Sequence, residues 1–74
     1  MARRETETTQ MARITIEANN QAVQISKNGD GFYSMHLVNT RRGVTHPDTV
    51  VVNGKAHSTE AGARRWAAKQ LAKA

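Results

Sequence analysis

Cysteine is absent from the 74 residues, which excludes a disulfide framework and a thiolate metal site and fits a reducing compartment. Proline occurs once, at Pro47, and the aromatic residues are Phe32, Tyr33 and Trp66 alone. With 38% of residues apolar and so few large side chains, buried area is scarce. Stability should be marginal unless a partner contributes, and a homodimer is one way to supply it. Long hydrophobic runs are also missing: Val50, Val51 and Val52, or Ala67 and Ala68, fall far short of the ~18 residues of a spanning helix. The stretch MARRETETTQ lacks the apolar segment of a signal peptide, so no membrane or export route is read here and the expected location is cytoplasmic. At this length, below the ~100–150 residues usual for a domain, the chain can hold one modest core.

Acidic residues are the other shortage, with 6 Asp and Glu against 11 Lys and Arg and a net charge of +5. In residues 1–30, Arg3, Arg4, Arg13 and Lys27 balance Glu5, Glu7, Glu17 and Asp30. In residues 31–74, Arg41, Arg42, Lys55, Arg64, Arg65, Lys69 and Lys73 face only Asp48 and Glu60, so the whole excess of +5 lies in that part. Such polarity favours a polyanionic partner, nucleic acid or an acidic protein surface.

Residues 1–11 are polar and without apolar periodicity, and are expected to form a disordered tail ahead of one domain over 12–74. Met1-Ala2-Arg3 recurs as Met11-Ala12-Arg13, which an internal translation start at Met11 or coincidence explains equally well. From Arg13 to Glu17 polar and apolar residues alternate, with Ile14 and Ile16 toward the core. After the polar connection at 18–21, Val23 and Ile25 resume the alternation and complete a hairpin. Asn28-Gly29-Asp30-Gly31 is the strongest turn signal, because Gly, Asn and Asp tolerate positive φ. It leads into a strand from Phe32 to Val38 on which Tyr33, Met35 and Leu37 are expected to face the core. Residues 39–49 read as a long basic loop around Arg41-Arg42-Gly43 and His46-Pro47-Asp48, and a loop of this length in so small a domain is often functional. The valines at 50–52 suggest a last short strand that turns or bulges at Asn53-Gly54. Ser58 stands where a helix cap belongs, with Glu60 beside the positive end of the dipole and a helix over residues 59–73. Its core stripe is Ala63, Trp66, Ala67 and Leu71, and Arg65, Lys69 and Lys73 form a basic stripe. The fold class is therefore α+β, a small antiparallel sheet of three to four strands packed against one C-terminal helix.

The chemical signal is cationic. Arg41 and Arg42 in the loop, Lys55, and Arg64, Arg65, Lys69 and Lys73 on the helix have the composition of a phosphate-binding surface, where released counterions supply most of the affinity. A protein-binding surface and a simply solvated helix face are the competing readings. Tyr33 and Phe32 could stack on bases, but in a chain with three aromatics packing has the first claim on them. His36, His46, His57 and Asp48 match no ligand spacing, so neither a metal site nor a cofactor is expected. No nucleophile elbow, phosphate loop or carboxylate pair is present, and no enzyme is expected.

The run from Gly31 to Leu71, with strand, basic turn, strand and then Ser58-Thr59-Glu60-Ala61 opening an Ala-rich helix with Trp66, resembles the AP2-like and arm-type DNA-binding domains of phage integrases. That resemblance implies a three-stranded sheet entering the major groove, with Ser34 and His36 beside Arg41 and Arg42 as base contacts. The Ile14/Ile16 strand and the scarcity of basic residues on the strands depart from it. Residues 61–72 also resemble the end of a double-stranded-RNA-binding domain, whose first helix has no counterpart here. The expected function is a small, non-catalytic nucleic-acid-binding protein, DNA before RNA. The alternative is a protein-interaction module, such as a phage-encoded inhibitor docking on a host enzyme.

Overall fold

The computed structural model describes residues 5–10 and 13–72. Strands β1 (Glu5–Gln10), β2 (Arg13–Ala18), β3 (Gln21–Asn28), β4 (Gly31–Val38) and β5 (Val50–His57) are followed by one helix, α1 (Glu60–Ala72). The strands form one antiparallel meander in sequence order, leaving β1 and β5 at the edges. Two hairpins have two-residue turns. Ala18 pairs with Gln21 around Asn19 (φ 58°), and Asn28 pairs with Gly31 around Gly29 (φ 62°), where positive φ suits Asn and Gly.

Directly opposed residues share a face of a sheet, so the register decides what the helix covers. Ile14 opposes Ile25 and Ile16 opposes Val23; across the next pair, Ile25 opposes Ser34 and Val23 opposes His36. On this face Ile16, Ala18, Val23 and Ile25 form the core with Ala63, Ala67 and Leu71 of α1, and Ile14, Phe32 and Trp66 pack around them. The three helix residues recur every four positions, one stripe of an α-helix, and two of them are alanines that let the backbone lie close to the sheet.

Four expectations are corrected. Residues 5–10 form a strand where a tail was expected, which makes five strands in place of three to four. Thr8 and Thr9 suit an extended backbone, β2 offers them an open edge, and Arg64 grips Glu7 through Nη1 at 2.8 Å and Nη2 at 2.9 Å. The proposed start at Met11 and the rest of the tail lie outside the described residues. On β4 the face is reversed: the helix covers Phe32, Ser34 and His36, whereas Tyr33 is 40% exposed on the open face and Leu37 is buried there. The helix cap is Thr59, whose Oγ1 accepts the Gly62 N–H at 3.1 Å, and not Ser58.

β5 continues past Asn53-Gly54 to His57. Val51 opposes Leu37 and Asn53 opposes His36, so Val52 is the extra residue of a bulge. Gly54 is required where it stands, because a Cβ there would collide with Tyr33 Oη and lie 3.0 Å from its Cζ. A Cβ at Gly31 would meet the His57 carbonyl oxygen at 2.6 Å. Among the described residues no helix is long and apolar enough to cross a membrane.

The His57 ring packs on Trp66 at 5.8 Å between centroids, and its Nε2 is buried without a hydrogen-bond partner among the described residues. Burial of the ring, reinforced by the charge of Lys55, holds its pKa below the ordinary histidine value of 6.5. Below pH 6.5 the unfolded chain therefore binds a proton that the folded chain refuses, until the lowered folded pKa is reached. This contribution to stability is full above 6.5 and is lost as pH falls through that window. The urea midpoint should fall between pH 7.5 and 5, and His57→Gln should flatten the slope.

Candidate nucleic-acid interface

The segment between β4 and β5 is built, turn by turn, from its own backbone. The N–H of Gly43 donates to the Thr40 carbonyl at 2.9 Å, that of His46 to Gly43 at 3.2 Å, and that of Thr49 to His46 at 3.0 Å. Three four-residue turns therefore follow one another, and Arg41 and Arg42 occupy the two corner positions of the first. Pro47 sits at the first corner of the third, where its fixed φ fits. Gly43 takes φ 116° and Asn39 φ 61°, both in the left-handed region.

Side chains lock the turns together. Asn39 Nδ2 donates to the Asp48 carbonyl at 2.9 Å. Thr49 Oγ1 lies 2.7 Å from the Gly43 carbonyl and 3.2 Å from that of Asn39, sharing its proton between them. His46 Nδ1 accepts the Asp48 N–H at 3.1 Å and lies 3.6 Å from the Asp48 carboxylate. At the base, buried Thr40 donates its N–H to the Asn20 carbonyl at 3.2 Å, tying the loop to the β2–β3 turn. Arg41 and Arg42 are exposed and, among the described residues, form no ion pair.

The remaining candidates divide. Lys55 is exposed on β5 opposite Ser34, hence on the helix side of the sheet. Arg65 and Lys69 are exposed one helical turn apart. The Arg65 guanidinium lies by the start of α1, since a Cβ at Gly62 would be 4.0 Å from both Arg65 Nη2 and His57 Nδ1. Arg64 is engaged by two carboxylates. Its Nη atoms hold Glu7 and its Nε holds Glu60 at 2.9 Å, so every arm of the fork is engaged. The hydrogen bonds from Arg64 hold the Glu7 carboxyl below its ordinary value, and those carboxylates raise the Arg64 pKa further above its own. Lys73 lies outside the described residues.

The two expected base contacts are withdrawn from any ligand. Ser34 is fully buried beneath the helix, and His36, 9% exposed, places Nε2 at 2.6 Å from Gln21 Oε1. Both sit on the face that the hairpin register assigns to the core. A shallow cavity of about 300 Å³ is lined by Glu7, Ile16, Arg64, Ala68 and Leu71, and its two charged groups neutralise each other. Among the described residues no three His, Asp or Glu side chains converge on a point where a metal could sit.

Residues that sequence reasoning passed over are those that hold the loop: Asn39, Thr40 and Thr49. The signal for them was the three-residue spacing of Thr40, Gly43, His46 and Thr49, the rhythm of successive turns. Compared with family models, curated proteins and solved structures, the chain matches none of them.

Thr49→Val removes both hydroxyl contacts while keeping the shape. It should loosen the Arg41 and Arg42 amides, lowering their NMR order parameters from ~0.85 toward ~0.6 while the sheet amides stay unchanged.

Proposed function

We propose that the protein is a non-catalytic nucleic-acid-binding module, DNA being the expected ligand, that holds backbone phosphates with Arg41, Arg42, Lys55, Arg65 and Lys69. The observation that carries this reading is the Arg41–Arg42 turn. Two adjacent arginines without carboxylate partners among the described residues stand at the corners of a turn fixed by backbone and side-chain hydrogen bonds. Ordering a flexible loop on binding costs free energy, and here that cost has been met in folding. Guanidinium groups suit phosphate through their paired donors. The meander adds a second support. Because β5 is an edge of the sheet, Lys55 and the Arg65 guanidinium beside His57 lie where a ligand has access.

A second reading rests on a different observation. Val50, Val51 and Val52 are 51%, 52% and 53% exposed on an edge strand, which suits docking on another protein, whether an acidic surface of a host enzyme or a second copy. The bulge at Val52 and the charge of Lys55 interrupt that edge, as they do in strands guarded against pairing. This weighs toward the nucleic-acid reading.

Fluorescence anisotropy with a labelled duplex at ~50 and ~200 mM salt tests it, since several phosphate contacts make affinity fall steeply with salt. Arg41→Glu with Arg42→Glu should weaken binding at least about tenfold and lower the salt slope by about two, one for each phosphate that is no longer neutralised. Undiminished binding by that variant would exclude the turn.

A further inference from the structure

Leaving aside Arg13 and Lys27, which lies 5.2 Å from the Phe32 ring centroid, the exposed cations among the described residues fall into two clusters toward opposite ends of β5. Arg41 and Arg42 stand on the first turn of the β4–β5 connection, beyond the Val38–Val50 end of the sheet, with its base pinned to Asn20. Lys55 lies near the far end of β5, and Arg65, at the start of α1 beside His57, is joined by Lys69 one turn further along. Between them Val50, Val51, Val52, Asn53 and Gly54 carry no charge. At ~3.3 Å per residue of strand, the length of β5 puts the clusters roughly 20 Å apart along the strand direction.

The open face of the sheet offers nothing equivalent. By register it carries Thr8, Thr15 and Glu17, then Gln24 and Ser26, then Tyr33 and Met35. Arg13, opposite Ser26, shares this face, and its charge is cancelled by Glu17, opposite Ala22. Nor is it a stacking platform. Of the three aromatics in the chain, Phe32 and Trp66 pack on the core, which leaves Tyr33 alone, with its hydroxyl end over Gly54, on this face. Readers of single strands rely on aromatic side chains along which successive bases stack.

Building on the nucleic-acid reading, we infer that the protein takes a double helix edge-on, with the β5 edge across a groove and one cation cluster on each phosphate rail. The open sheet face points away. A major groove is ~12 Å wide with a backbone on either side, a span that two clusters roughly 20 Å apart can bridge. A single strand has one rail and no fixed spacing between rails. This differs from the mode that the integrase resemblance implies, in which the sheet itself enters the groove. Here that sheet has one face under the helix and the other without net charge.

The experiment titrates the full chain and two variants, checked for fold by circular dichroism, against a 5′-labelled duplex DNA of ~20 base pairs, the same sequence as a single strand, and the matching RNA duplex, so that affinity can be compared at one salt concentration. The first variant, Arg65→Glu with Lys69→Glu, reverses the cluster far from the loop. The second, Thr15→Glu with Ser26→Glu, puts two negative charges on the open face. Edge-on docking predicts that duplex binds at least about tenfold more tightly than single strand, that the first variant loses at least about tenfold, and that the second changes by less than about threefold. The RNA arm reports which duplex is preferred, and a preference for either fits the two-rail geometry. Equal or tighter binding of the single strand, or loss of binding in the open-face variant, overturns edge-on docking and leaves the nucleic-acid reading standing. Absence of binding to all three ligands at ~50 mM salt overturns that reading, and with it this one.

Discussion

Everything in this small domain hangs on the contact between two alanines and a leucine of α1 and four aliphatic residues of β2 and β3. Ala63, Ala67 and Leu71 are completely buried, as are Val23 and, to within 1%, Ile25. The chain has few large side chains with which to fill space, so it brings helix and sheet close together instead. The same closeness explains why Ser34, a small polar residue, can lie under the helix where a larger side chain would hold it off. Among the described residues its hydroxyl has no hydrogen-bond partner, a local cost of the tight approach.

Once that contact fixes which face is covered, the distribution of charge follows. Arg64 flanks the core stripe on the side toward β1 and is consumed in holding Glu7, so a cation that composition alone would count toward a ligand serves the fold. Arg65 and Lys69 lie away from the stripe and stay exposed. Trp66 leans toward β5 and seats His57, which aligns the end of the last strand with the start of the helix. The arginine turn is positioned separately, through Thr40 and the β2–β3 turn.

The elements legible in the sequence were those where periodicity and turn chemistry agree. Ile14 and Ile16, Val23 and Ile25, the glycine turn after Asn28 and the alanine-rich helix all fall where alternation and spacing place them. β1 was not legible because its sequence, ETETTQ, contains no apolar residue: what makes it a strand is an edge to pair with and an arginine 57 positions away. On β4 the sequence misleads, since Tyr33, Met35 and Leu37 look more core-like than Ser34 and His36. The two-residue turn at Gly29-Asp30 contained the answer, for it sets Ile25 opposite Ser34 and Val23 opposite His36. Within the candidate site, Arg41, Arg42, Lys55, Arg65 and Lys69 were legible as cations. That Arg64 is spoken for, and that Ser34 and His36 are buried, depended on contacts between residues distant in sequence.

We propose that the exposed cations toward the two ends of β5 form the working surface. The most direct measurement is a titration of ¹⁵N-labelled protein with a short DNA duplex, followed by amide chemical shifts. The account predicts the largest shifts at Arg41, Arg42 and Gly43, at Lys55, and at Arg65 and Lys69, with the amides of Thr15, Gln24 and Ser26 nearly still. Shifts concentrated on the open sheet face, or none at any duplex concentration, would contradict it.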